Sequence, residues 1–225
     1  MPEGFASGRR RRILQQLLVA ALCTGALHAQ GALTAPELAS RIDHHYNALH
    51  SLSVQFVQHY DGMGMHRKES GVLLLRKPGK MRWSYTDPDG QLFILDGKNA
   101  YFYTPGQNEA QTMPEKQLDD LRSPLRFLLG HTELEKELEN LQMTPDGNGQ
   151  YTLSGVPKGM EQRISDLKIA TNAEGTILQM TIVETDGVTN SFDFSGELTN
   201  APAPNSAVVF TAPPGVHIVS GEPPV

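Results

Sequence analysis

Cysteine is almost absent from this chain: its 225 residues hold one, Cys23, and that one falls within a leader-like segment. Once the segment is removed, disulfides, thiolate nucleophiles and cysteine metal sites are all excluded. An excess of positive charge is lacking as well. Lys and Arg number 19 against 25 Asp and Glu, a net charge of −6, and four of those basic residues are Arg9 to Arg12. Without the first 29 residues the balance is 15 against 24, or −9. No surplus of cations then remains to displace phosphate counterions, which argues against a nucleic-acid partner. The same deficit keeps the chain off anionic membrane surfaces. A long apolar run is missing too, since Leu17 to Leu27 is broken by Thr24 and Gly25 and falls well short of the ~20 residues that cross a bilayer as a helix.

That short run follows four arginines, the layout of a cleavable secretory signal, with cleavage expected after Ala29. Arg10-Arg11-Arg12-Ile13-Leu14 also partly matches a twin-arginine signal, a pattern that four arginines meet by accident. Export by either route stays open. A lipid-modified cysteine needs a small residue directly before it, and Leu22 is large, which speaks against a lipid-anchored form. Residues 1–29 are accordingly expected to be a signal peptide and residues 30–225 a single exported domain. The expected compartment is the bacterial periplasm, without stable membrane insertion.

Catalytic motifs are missing in turn. Ser154-Gly155 and Ser195-Gly196 lack the glycine two residues earlier that a nucleophile elbow requires, and neither a phosphate loop nor a dinucleotide fingerprint occurs. Five of the eight histidines, His44, His45, His50, His59 and His66, fall within 23 residues, yet no metal-ligand spacing appears among them. His44 and His45 point about 100° apart on a helix and cannot face one ion without distortion. Asp61, Asp87, Asp89 and Asp96 each stand by Gly or Pro, where Asp is favoured for its local turn hydrogen bonds. No metal, cofactor or enzymatic activity is expected.

Thr34-Ala35-Pro36-Glu37 has the form of a capping box with proline in the first turn, so a helix should start there. Leu38, Ile42, Tyr46 or His45, Leu49 and Leu52 recur at helical spacing opposite Arg41, Asp43 and Asn47. From Ser53 the period becomes two, with Val54, Phe56, Gln58 and Tyr60 alternating with Gln55, Val57 and His59 up to Asp61-Gly62. Gly71 to Leu75 is a second strand. Met81, Trp83 and Tyr85 mark a third, and turns at Asp87-Pro88-Asp89-Gly90 and Asp96-Gly97 separate strands at Gln91 to Leu95 and Ala100 to Thr104. Leu118, Leu121, Leu125, Phe127, Leu128 and Leu129 around Ser123-Pro124 predict two short helices or one broken at proline. Thr132 to Leu141, rich in Glu and Leu, also favours helix. Strand signals resume at Gln150 to Ser154, Gln162 to Ala170, Thr176 to Thr185, Val188 to Ser195 and Val208 to Thr211. The expected fold is mainly β with helices (α+β). About ten or eleven strands form an incomplete antiparallel barrel, covered by an N-terminal helix and short central lid helices, because so large a sheet must curl. A cavity under movable helices is a natural ligand site.

Arg76-Lys77-Pro78-Gly79-Lys80-Met81-Arg82-Trp83-Ser84-Tyr85, then Asp87-Pro88, Asp96-Gly97-Lys98 and Tyr101-Phe102-Tyr103-Thr104-Pro105, resembles the periplasmic outer-membrane lipoprotein carrier (LolA) family. The similarity continues through Pro124-Leu125-Arg126-Phe127-Leu128-Leu129-Gly130 to Phe210-Thr211-Ala212-Pro213-Pro214-Gly215-Val216, in the family's order over nearly the whole mature chain. The resemblance implies an apolar cavity that takes the acyl chains of a lipoprotein released by an inner-membrane ABC transporter. It further implies delivery to an outer-membrane receptor lipoprotein. The cavity wall is expected from Val54, Phe56, Leu73, Leu75, Met81, Trp83, Tyr85, Phe93, Leu95, Tyr101 and Tyr103, and the lid from Leu38, Ile42, Leu49, Leu125, Phe127, Leu128 and Leu129.

In the family an arginine directly before the proline bonds to the lid; here Lys77 holds that place and Arg76 precedes it. A one-residue step along a strand reverses the face. Either Lys77 serves as a single-point donor without the planar fork of Arg, or a bulge lets Arg76 serve, and Lys77 is the expected latch. A lipoprotein-sensing regulator on the same fold is the alternative, although such sensors carry a second domain and only 196 residues follow Ala29. The receptor itself is disfavoured by Leu22, and a lipid esterase by the lack of a nucleophile motif. A carrier that offers its cavity mouth to two partners is most simply a monomer.

Overall fold

The computed structural model describes residues 33–116 and 131–221. The expected signal peptide and the lid residues Leu125, Phe127, Leu128 and Leu129 lie outside the described residues. Helix α1, Ala35–Asn47, begins as its capping box requires. Thr34 Oγ1 accepts from the Glu37 N–H at 3.4 Å, and Glu37 Oε2 accepts from the Thr34 N–H at 2.9 Å. Leu38, Ala39, Ile42 and Tyr46 form its buried stripe.

Among the described residues twelve strands follow: β1 Ser51–Gly62, β2 Met65–Arg76, β3 Lys80–Asp87, β4 Asp89–Leu95, β5 Asn99–Tyr103, β6 Glu109–Pro114, β7 Leu138–Gly147, β8 Gln150–Pro157, β9 Ile164–Asn172, β10 Ile177–Glu184, β11 Thr189–Thr199 and β12 His217–Ser220. They make one sheet in the order β12-β6-β5-β4-β3-β2-β1-β11-β10-β9-β8-β7. Two antiparallel meanders, β1 to β6 and β7 to β11, are thus joined by the β1–β11 pair. Strand β12 adds to β6 in parallel. The ends β12 and β7 do not pair with one another, so the sheet stays open.

The strand count exceeds the expected ten or eleven. Thr132 to Leu141 is not a helix: only Leu134–Glu137, here α2, is helical, and Leu138 onward pairs with β8. Asn140 takes a left-handed φ of 54° in a bulge of β7. The free edge of β8 supplies backbone partners there, which outweighs the helix preference of Glu and Leu. Val208 to Thr211 is not a strand either. It follows a 3-10 turn, Asn205–Val208, in a segment that crosses the sheet before β12.

Alternation along the strands gives the sheet two unlike faces. The inner face, packed with α1, carries one continuous cluster that includes Leu52, Val54, Phe56, Leu73, Leu75, Met81, Trp83, Leu153, Ile169, Met180 and Phe192. The outer face carries a small one, Ile94, Ala110 and Phe210, flanked by Leu92, Tyr101, Tyr103, Ala212 and Val216. Gly71 is required on the inner face. A Cβ there would meet the Ser84 carbonyl at 2.2 Å and Phe56 Cε1 at 3.0 Å, so its absence lets the Phe56 and Tyr85 rings meet edge to face at 5.2 Å.

Candidate functional site

Strand register lines the inner face up in rows. Val54 pairs with Leu73, Leu73 with Trp83, Trp83 with Phe93, Phe93 with Phe102 and Phe102 with Gln111. Beside it runs Leu52, Leu75, Met81, Leu95, Ala100 and Met113. A third, shorter row is Phe56, Gly71 and Tyr85. Trp83 sits at the centre, 1% exposed, with Phe56 edge-on at 4.6 Å and Phe192 tilted at 5.5 Å. Its indole N–H points to Met81 Sδ at 3.0 Å. Burial holds the Tyr85 hydroxyl well above the ordinary tyrosine range, so it remains a neutral phenol at the edge of an apolar wall.

Nine of the eleven expected wall residues therefore share this face: Val54, Phe56, Leu73, Leu75, Met81, Trp83, Tyr85, Phe93 and Leu95. Tyr101 and Tyr103 do not, and their placement is a correction. Both pack on the outer face against Phe210, with Tyr101 stacked on it at 5.1 Å. Phe102 takes the inner position, stacked on Phe93 at 4.6 Å. Tyr-Phe-Tyr is aromatic on both faces, so hydrophobicity alone does not choose between them. The parity set by Ala100 on the same strand does. Phe192, Phe194, Ile177 and Met180 from the second meander also join the inner cluster; the alternation of Met180 with Ile182 and of Phe192 with Phe194 was the available signal, whereas Ile177 is brought to the same face by a bulge before Gln179.

Helix α1 brings Leu38 and Ile42 into the same cluster, with Leu49 just past its end. It is held by polar bonds on several sides. Arg41 donates to the Ala173 carbonyl at 2.6 Å, and the Gly175 turn lies so close that a Cβ would stand 2.6 Å from the Arg41 carbonyl carbon. Tyr46 Oη donates to Glu197 Oε2 and accepts from the Ile177 N–H, both at 2.9 Å. Burial, then the Glu197 charge, pushes that phenol far above its ordinary range. Asn47 exchanges bonds of 2.9 Å with the Thr132 carbonyl and N–H, and Asp43 accepts from the Thr132 hydroxyl and the Leu134 N–H. Burial raises the Asp43 carboxyl above the usual aspartate value. Tyr46, Leu52, Val54, Ile177, Phe194 and Glu197 line a narrow cleft at this end of the helix.

The expected latch pair divides between the faces. Lys77 Nζ donates to the Tyr46 carbonyl in the last turn of α1 at 2.6 Å, and desolvation lowers its ammonium below the ordinary lysine value. Arg76 reaches instead to Asn205 Oδ1 at 3.3 Å, where Lys80 also donates at 2.8 Å. The clustered histidines separate in the same way: His45 meets Glu197 at 2.7 Å, His59 meets Asp193 at 3.5 Å, and His66 meets Asp61 at 3.2 Å. Asp96 Oδ1 accepts from the Lys98 and Asn99 N–H groups, both at 2.8 Å.

The family model described as outer membrane lipoprotein carrier protein LolA matches residues 47–211. This chain belongs to the LolA family. An outer-membrane lipoprotein carrier protein of Chromobacterium violaceum is 30% identical over 173 residues, covering 76% of this chain and 82% of that one. Its counterpart in Cupriavidus taiwanensis is 27% identical over 211 residues, covering 91% and 98%. Among solved structures, an uncharacterized conserved protein from Thermus thermophilus superposes with a TM-score of 0.50 at 12% identity, over 83% of this chain and 99% of that one. The LolA match spans the inner wall from β1 to β11 and the Lys77–Tyr46 contact's strand side.

Proposed function

We propose that this chain is a non-enzymatic periplasmic carrier that shields lipoprotein acyl chains against the inner face. It takes its cargo from an inner-membrane ABC transporter and hands it to an outer-membrane receptor lipoprotein. One observation carries the reading: in a LolA-family chain, the apolar rows run without a charged residue from Val54 to Phe102 and from Leu52 to Met113. Hiding a methylene from water is worth ~0.8 kcal/mol, so a long acyl chain gains on the order of 10 kcal/mol by lying there. A lipid-bearing protein cannot cross an aqueous compartment without such cover. The wall proposed comprises Val54, Phe56, Leu73, Leu75, Met81, Trp83, Tyr85, Phe93 and Leu95, joined by Phe102. Leu38, Ile42 and Leu49 of the α1 region are its cover, and Lys77 is the tie that holds that cover down.

The test adds purified mature protein to spheroplasts and asks whether newly made lipoproteins enter the soluble fraction bound to it. Soluble one-to-one complexes are expected. If nothing is released while a fluorescent acyl probe still binds, the protein senses acyl chains rather than carrying them.

A further inference from the structure

Among the described residues, two buried side-chain polar atoms lack a hydrogen-bond partner, Gln111 Oε1 and Thr171 Oγ1. Each leaves a cost that native structures rarely carry without a reason. Thr171 is deep: it is fully buried and pairs with Ile177 beneath the Tyr46 end of α1. Gln111 differs in position. It ends the row Val54, Leu73, Trp83, Phe93, Phe102, on the strand next to the β12 edge, and its residue is only half-buried although its amide oxygen is not exposed. Its parity places it inside, because Ala110 belongs to the outer cluster and Met113 to the inner one. The Gly221 backbone packs on its stem, where a Cβ would stand 3.3 Å from Gln111 Cγ, and Gly221 is itself tied to the Thr112 carbonyl at 3.2 Å. The side chain is thus hemmed in.

An amphiphile needs that arrangement. Its tail takes an apolar row while its polar linkage stays near the end of the row. From β6 to β1 the row crosses five inter-strand steps of ~4.8 Å, ~24 Å along the sheet. That exceeds the ~15 Å that one leaflet of acyl chain spans. The free acceptor selects the linkage. An ester offers no donor, whereas a secondary amide offers one N–H.

We propose that Gln111 Oε1 accepts a hydrogen bond from the N–H of an acyl chain attached through a secondary amide, so that the site distinguishes N-acylated from O-acylated ligands. The inference rests on the carrier reading above and names what that site recognises. It is tested on the full mature chain with three fluorescent probes that each carry three tails of equal length and differ only in the linkage of one tail: a secondary amide, its N-methylated tertiary amide, and the matching ester. The secondary amide should bind about tenfold more tightly than the other two, the loss expected when a buried acceptor is left unpaired. In Gln111→Leu that preference should fall to parity while ester binding is kept. Equal binding of all three probes by the parent overturns the proposal, as does a Gln111→Leu variant that keeps the preference. Because the N-methyl comparison uses the parent alone, it decides the matter even if the variant does not fold. Failure of every probe to bind the parent strikes the acyl-binding reading itself and with it this proposal.

Discussion

Lys77→Met is the perturbation whose outcome bears most directly on how the cover is held. The substitution keeps the apolar stem and removes the ammonium that donates to the Tyr46 carbonyl at 2.6 Å. A hydrogen bond to a charged group contributes about 1.5 to 3 kcal/mol, and a cation at a helix C-terminus adds about 0.3 to 1 kcal/mol. Two facts reduce the loss. Desolvation already opposes the charge, as its lowered pKa records, and the Tyr46 carbonyl keeps a second donor in the Leu49 N–H at 3.3 Å. A net loss of about 1 to 2 kcal/mol follows, or about 2 to 8 °C in Tm for a domain of this size. Amide exchange separates this tie from the others, since α1 protons should exchange about 5- to 30-fold faster while β9 protons do not change. If the helix withdraws when an acyl chain enters, the same free energy returns as tighter probe binding, because a competitor for the wall has been weakened. An unchanged Tm together with unchanged exchange in α1 would refute the assignment of Lys77 as a tie. A lower Tm with unchanged probe affinity would keep the tie and remove its role in gating.

Gly71→Ala should cost about 3 kcal/mol or more in urea unfolding, because its Cβ would meet the backbone at Ser84 O, 2.2 Å away, and Tyr85 Cα, 2.9 Å away, and neither can swing aside; near-parent stability would show that β3 yields there. Tyr46→Phe strands the Ile177 N–H and removes a donor from Glu197, so about 2 to 4 kcal/mol should be lost by the same measurement. Asp43, whose carboxyl is raised chiefly by burial, contributes stability that is present below the ordinary aspartate pKa and lost as pH rises through the raised value. Tm measured from about pH 4 upward should therefore fall less in Asp43→Asn than in the parent, and parallel curves would contradict the assignment.

The parts of this fold that were legible in the chain are those whose evidence is local. Thr34 and Glu37 satisfy each other within one turn, and Asp96-Gly97 turns on its own side-chain bonds. Long alternations such as Val54 to Tyr60 declare both strand and face. What escaped is defined by a neighbour instead. β6 offers Glu-Ala-Gln-Thr-Met-Pro, with no apolar alternation of its own, and exists because β5 and β12 bond to its two sides. β7 and β12 are edge strands made by the strands they cap. In the same way Tyr101, Phe102 and Tyr103 carry no intrinsic mark of face. The register with Ala100 and the arrival of Phe210 from more than a hundred residues away assign the tyrosines to the outside. The Lys77–Tyr46 bond was foreshadowed by position before Pro78, but its acceptor is a backbone carbonyl, which no side-chain pattern encodes.

The number of acyl chains on the cargo should decide whether it binds. The buried stripe of α1, Leu38, Ala39, Ile42 and Tyr46, shares the inner cluster with the wall, and side chains of this size gain about 1.5 to 3 kcal/mol each on burial. Withdrawing the stripe would thus cost roughly 5 to 10 kcal/mol, Ala39 adding only its one methyl, and breaking the Lys77 tie and the Tyr46 hydroxyl bonds adds about 3 to 6 kcal/mol. One acyl chain returns on the order of 10 kcal/mol, which does not cover that cost once the entropy of association is charged against it. Two or three chains exceed it clearly. A single-chain fatty acid should therefore bind weakly and leave α1 protected from exchange, whereas a lipopeptide with two or three chains should bind tightly and deprotect α1 amides from Leu38 to Tyr46. If both ligands bind with equal affinity, or the multi-chain ligand binds while α1 stays protected, α1 is a fixed wall and another element yields the space. On the carrier function proposed above, a cover whose removal costs at least what one acyl chain returns would ignore stray fatty acids, yet would still return to the wall once the cargo leaves.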